Sequence, residues 1–125
     1  MGMNDFSLAA VGCSYDNEDG SSRQLELREC LPGDTIALVR QPDNPHDPLA
    51  VAIVTASGTC VGYLGRDRAA WIAPKIDRGF LINAIVERVK GIHLEGATLG
   101  LVVRINMEGD LPELVDRAGE VRAAA

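Results

Sequence analysis

The sequence predicts a mainly β domain, a small barrel or curled sheet with one or two short helices. Three observations predict it: many short strand-like runs, one helical pattern directly after a hairpin, and glycine-rich turns between them. At 125 residues the chain is one domain's worth, with 46% apolar and 24% charged residues, an ordinary globular balance. It has no apolar run approaching the roughly 18 residues of a membrane span. Its N-terminus lacks the basic-then-apolar layout of a secretory signal, so a cytoplasmic protein is expected.

Taken in order, Leu8 to Tyr15 is an apolar run containing Gly12, and Asp16 to Arg23 is polar and loop-like. Leu25, Leu27 and the turn Pro32-Gly33-Asp34 lead into Thr35 to Arg40, a β-rich run that reads as a strand. Leu49 to Thr55 is apolar on both faces, with one face small, as in a strand packed closely from above. Ser57-Gly58 supplies a hairpin turn, and Cys60 to Leu64 returns as its partner. Ala69, Ile72, Ala73 and Ile76 repeat at helical spacing from about 67 to 78, after the first-turn acid Asp67 and before Gly79. Pro74 falls inside that helix and predicts a bend or a break. Leu81 to Lys90 reads as a strand, and Leu101, Val103 and Ile105 alternate in another. The domain is expected to span 1–107. A charged, alanine-ended tail follows at 108–125, in which Leu111 to Val121 forms a short helix or stays disordered.

The net charge of −6 opposes nucleic-acid binding at first sight, because phosphates call for a basic footprint. The acidity is concentrated at the ends, however. Residues 1–34 carry −5 and 108–125 carry −3, while 35–107 carry +2. Cys13, Cys30 and Cys60 are odd in number and form no CxxC pair, which signals neither zinc nor redox chemistry; they read as small core residues. No metal or cofactor is called for.

The most distinctive segment is Pro42-Asp43-Asn44-Pro45-His46-Asp47-Pro48. Each proline fixes its own φ and biases the preceding residue toward extended backbone, so Asn44 and Asp47 are held in defined attitudes with His46 between them. Such a loop is a binding platform that loses little entropy on binding. Equally, Asn44 and Asp47 are suited to closing Asx turns within the loop itself.

This loop, together with Gly12-Cys13-Ser14-Tyr15, Leu31-Pro32-Gly33-Asp34, Leu38-Val39-Arg40-Gln41 before it, Leu49-Ala50-Val51 after it, Val61-Gly62-Tyr63-Leu64 and Ala70-Trp71-Ile72-Ala73-Pro74, resembles the HIRAN domain over roughly residues 8–80. The resemblance implies an oligonucleotide-binding-like β-barrel of about six strands, a module commonly attached to helicase or nuclease proteins. It implies capture of single-stranded DNA at its 3′-hydroxyl end, in repair or replication-fork processing; a monomer with no membrane role is expected. Carried over, Asp47 accepts the terminal hydroxyl, Asn44 supports it, Tyr15 stacks on the base and Arg66 meets a phosphate. An ionised carboxylate accepts from a hydroxyl and repels a phosphate in the same place, so the site would test for an end. The chain departs from that pattern in three places. Ser14 stands where an arginine belongs, His46 replaces a stacking tyrosine, and Tyr63 takes a position suited to stacking or to donating to phosphate.

Other readings compete. A peptide- or subunit-binding module that has lost DNA binding fits the acidic balance. Pro42-Asp43 with Glu87-Arg88-Val89-Lys90 has the outline of a metal-dependent nuclease core, but its acid and lysine stand one position too far apart. No P-loop, dinucleotide fingerprint or nucleophile elbow is present. His93 reads as a solvent histidine. Arg68, Trp71, Lys75 and Arg78 form a helical stripe, read as a tryptophan packed on the barrel beneath solvated bases or as a second binding surface.

Overall fold

A computed structural model of the chain describes residues 4–115 and 121–122. Its elements are β1 (Phe6–Ala9), α1 (Arg23–Glu29), β2 (Thr35–Arg40), β3 (Val51–Thr55), β4 (Cys60–Tyr63), α2 (Arg66–Asp77), β5 (Asn83–Lys90), β6 (Gly100–Asn106), β7 (Leu114–Val115) and β8 (Val121–Arg122). β1 to β6 form one antiparallel sheet in the order β1-β6-β5-β2-β3-β4. Register shifts between Val86 and Arg88 in β5, and between Ile53 and Val54 in β3, are the bulges that help such a sheet curl.

The sheet's two edges meet at one point. Just past β1, Val11 forms an isolated bridge with Tyr63 of β4, its N–H donating to the Tyr63 carbonyl at 2.8 Å and its carbonyl accepting from Tyr63 N–H at 2.9 Å. The curled sheet is thereby closed into a small barrel, as the sequence led one to expect. Gly62 makes this closure sterically feasible: a Cβ there would lie 3.0 Å from both Cys13 Sγ and the Val11 carbonyl oxygen.

Inside the barrel, Val51, Ile53, Val61, Leu101, Val103 and Ile105 are fully buried, and α2 covers one end with Ala69, Ile72 and Ala73. Burying Ile72 alone contributes roughly 2 kcal/mol. Both faces of β3 are shielded, which explains its apolar reading on both. β3 begins only at Val51 because Leu49 and Ala50 belong to the preceding turn.

Pro74 does not divide α2, which runs as one element to Asp77. The carbonyl that proline leaves without its helical partner is that of Ala70, an exposed residue where water can take the place of the N–H. The helix then ends at Gly79 (φ +84), with Gly79 N–H bonded to the Ile76 carbonyl and Phe80 N–H to that of Lys75. Trp71 lies against Phe6 at 5.8 Å between ring centroids, yet remains 46% exposed, so it packs on the barrel by one side only. Lys75 lies over the rings of Trp71 and Phe80. Cys13 and Cys30 are buried as expected, whereas Cys60 is half-buried.

Residues 23–29 form a helix where the sequence reading placed only Arg23, at the end of a loop-like stretch, and gave 24–29 no element: Ser22 caps α1 by accepting from Leu25 N–H, and the buried positions are Arg23 and Leu27. The short Leu111–Val121 helix does not form at its ends, because Leu114–Val115 pair with Val121–Arg122; positions 116–120 lie outside the described residues. The buried side chains there are Pro112 and Leu114, at strand spacing, and Leu111 faces solvent. This segment is tied back to the barrel through Asp5, whose fully buried carboxylate accepts from Glu113 N–H and from Asn106 Nδ2.

Candidate functional site

The loop between β2 and β3 consists of two successive β-turns. Asn44 N–H donates to the Gln41 carbonyl at 3.0 Å, and Ala50 N–H to that of Asp47 at 3.1 Å. Pro42 and Pro48 each occupy the second position of their turn, where a φ near −65° is required, and Pro45 joins the two. The side chains then lock what the prolines begin. Asn44 Oδ1 accepts from His46 N–H (2.8 Å) and Asp47 N–H (3.2 Å), while Asp47 Oδ1 accepts from Leu49 N–H (2.9 Å). The Asx turns that the composition allows are therefore formed.

These bonds assign Asn44 to the loop, since its Nδ2 also donates to Gln41 Oε1 at 3.0 Å. Asp47 keeps Oδ2, which faces Arg66 Nε at 3.7 Å, an ion-pair distance too long for a hydrogen bond. The Asp47 side chain is 20% exposed and that of Arg66 75%. Arg66 Nη2 also donates to the His46 carbonyl at 3.2 Å, and the His46 side chain is exposed. Tyr63 is fixed by its hydroxyl, which donates to the same Gln41 Oε1 at 2.8 Å.

Opposite this loop stands the turn Gly12–Tyr15, closed by Tyr15 N–H to the Gly12 carbonyl at 3.2 Å. Gly12 has φ +75, a conformation that side chains rarely adopt. Its carbonyl also accepts from Arg23 Nη1 at 2.6 Å. Arg23 Nε donates to Asn17 Oδ1 at 2.8 Å, and its guanidinium lies 5.3 Å from the centre of the Tyr63 ring. Tyr15 is 70% exposed.

Between the two walls lies an open cleft of about 1200 Å³. All six residues singled out from the sequence line it: Tyr15, Asn44, His46, Asp47, Tyr63 and Arg66. Arg23, Gln41 and Asn17 also line it, and the sequence reading missed them. Gln41 had a faint signal, since it directly precedes the proline loop. Arg23 had none, because its place depends on the fold bringing α1 behind β4. Ser14 is exposed, and His93, exposed in a turn far along the chain, is not among the lining residues.

The lining is more acidic than basic. Asp16, Glu18, Asp19, Asp43 and Asp47 contribute carboxylates against the guanidiniums of Arg23, Arg40 and Arg66. The Ser21 hydroxyl and amide hold the Asp19 carboxyl below its ordinary range. Arg40 is itself paired with Asp77 at 3.0 Å. Burial raises the thiols of Cys13 and Cys30, the latter to about 11 with help from Glu26, Asp34 and Glu29, so both persist as thiols at neutral pH. Glu87 bonds with Ser7 and Arg104 and does not line the cleft with Asp43. Among the described residues, no group of three or more His, Cys, Asp or Glu is placed to hold a metal ion.

The family model of the HIRAN domain matches residues 3–107. The Fanconi-associated nuclease 1 homolog of Oryza sativa subsp. japonica is 38% identical over 60 residues, which cover 46% of this chain and 6% of that protein. The crystal structure of the HIRAN domain of human HLTF superposes with a TM-score of 0.61 at 20% identity, covering 82% of this chain and 73% of that one. A Lactobacillus plantarum protein structure gives a TM-score of 0.58, also at 20% identity, over 82% of this chain and 98% of that one. Both structures share its fold. The curated nuclease relative is far longer than the segment it has in common with this chain.

Proposed function

The chain belongs to the HIRAN domain family, whose members are DNA-binding modules, and we propose that its cleft captures the 3′-hydroxyl end of single-stranded DNA. The observation that carries this reading is Asp47. Its carboxylate is fixed by its own turn, partly exposed in the cleft, and left with Oδ2 outside any close hydrogen bond among the described residues. Such an oxygen accepts a hydrogen bond from a terminal hydroxyl and repels a terminal phosphate. Tyr15 offers an exposed ring for stacking on any base, worth about 1–3 kcal/mol. His46 is the second, smaller stacking face, Tyr63 a lining ring fixed through its hydroxyl to Gln41, and Arg66 a cation beside Asp47. Asn44 acts through Asp47 by holding its amide. The wider association is with repair or replication-fork processing, alongside a helicase or nuclease.

Fluorescence anisotropy with single strands ending in 3′-hydroxyl or 3′-phosphate tests this. The hydroxyl end is expected to bind at least tenfold more tightly, and Asp47→Ala to abolish that preference, since a hydrogen bond to a charged group is worth about 1.5–3 kcal/mol. Equal binding of both ends by the unmodified protein refutes it. The excess of carboxylates lining the cleft favours a second reading, a module for a basic peptide or partner subunit. Negligible binding of both DNA ends is its expected outcome.

A further inference from the structure

Arg23 is only 9% exposed, yet it lines the cleft. Burying a guanidinium is costly unless its charge is answered. Here every protein partner is neutral: the Asn17 amide oxygen, the Gly12 carbonyl and the face of Tyr63. Among the described residues Arg23 forms no ion pair, although Asp16, Glu18 and Asp19 line the same cleft. Nε and Nη1 are engaged, which leaves Nη2 without a protein acceptor among those residues. The group is also held rigidly. Asn17, which receives Nε, is itself fixed by donating to the Cys60 carbonyl at 2.9 Å and to Ser21 Oγ at 3.0 Å. A buried, oriented, uncompensated cation in a cleft is built to receive an anion.

We infer that Arg23 binds the last internucleotide phosphate of a strand whose 3′-hydroxyl lies at Asp47. This rests on the end-capture reading. It gives the Gly12–Tyr15 wall, where Ser14 is exposed and uncharged, a cation from α1. A phosphate is a better fit than a base carbonyl because an anion forms a charge-assisted bond with Nη2 and answers the buried charge together. The acidic side chains around the cleft disfavour a polyanion running through it, so the site takes a short terminal segment with one phosphate held at Arg23.

The test uses an oligothymidylate with a 3′-hydroxyl and the same strand with an uncharged methylphosphonate at its last linkage. The unmodified protein is expected to bind the charged strand about tenfold more tightly. Arg23→Gln should remove that difference and make the slope of log affinity against log salt shallower by about 0.7. Arg23→Lys, which retains the charge without the planar fork, should restore part of the difference and keeps the test valid should the glutamine variant fail to fold. The inference is overturned if the unmodified protein is indifferent to the linkage charge, or if Arg23→Gln weakens both strands equally. Preference for the hydroxyl end over the 3′-phosphate end, retained alongside either result, shows that the Arg23 assignment alone has failed. Absence of binding to every strand removes both.

Discussion

The two walls of the cleft are held by opposite means. Residues 41–50 keep their shape through bonds with one another: three prolines, two turns and two Asx closures, all within a few residues in sequence. The Gly12–Tyr15 turn is held from a distance, by Arg23 of α1, by Asn17 and by the Val11–Tyr63 bridge. Local restraint reduces the freedom of the unfolded chain and survives partial loosening of the barrel. Remote restraint exists only once the barrel has closed. One wall is thus a property of a segment, the other a property of the whole fold.

The two asparagines test this contrast. Asn17→Ala leaves the buried Arg23 Nε without its acceptor and removes the bond to the Cys60 carbonyl, and is expected to cost about 2–3 kcal/mol, lowering Tm by roughly 10 °C. Amide exchange should quicken at Val11 and Tyr63, on both sides of the closing bridge. A Tm within a degree or two of the parent would mean that the turn does not depend on remote support. Asn44→Ala should cost about 1 kcal/mol and roughly 4 °C. Exchange should then rise at His46 and Asp47, the amides it accepts from, while Val11 and Tyr63 stay protected. Spread of the effect to the bridge would break the comparison.

The smallest effect concerns α1, which supports the remote wall and also reaches the β3–β4 hairpin. Glu26 accepts from Ser57 Oγ and Thr55 Oγ1, each at 2.6 Å, and these bonds lower its pKa from the ordinary 4.5. A carboxyl depressed in the folded state contributes stability that is full above its unfolded value. That contribution disappears as pH falls through the lower, folded value. Glu26→Gln should therefore slightly reduce Tm at neutral pH and flatten the fall in Tm below about pH 4.5 in thermal melts. An unchanged acid limb would remove Glu26 from the support of α1.

What could be read from the sequence follows the same division. β2, α2 and the proline loop announce themselves because alternation, helical spacing and proline placement are short-range signals. α1 was illegible for a physical reason. Its apolar residues Leu25 and Leu27 alternate like a strand, Leu25 is 66% exposed, and the inward face pairs Leu27 with a buried arginine. The six candidate residues were singled out through the resemblance and the loop, and all of them line one cleft. Arg23 and Asn17 went unseen because nothing near them in sequence shows what α1 will pack behind. The tail's charged, alanine-ended composition left a short helix and disorder both open, and the pairing of Leu114–Val115 with Val121–Arg122 has no short-range signal in it.

One consequence follows from closing the barrel through a single bridge. The bond pair between Val11 and Tyr63 joins the strand leading into one wall to the strand beside the other. A seam of this kind is a natural line for sub-global opening, which needs less free energy than unfolding the core. Variants that weaken the seam, Gly62→Ala foremost among them, would leave a chain still folded by spectroscopy in which the groove has parted. Loss of binding would then precede loss of structure on heating, and occupancy by a ligand spanning both walls would staple the seam shut.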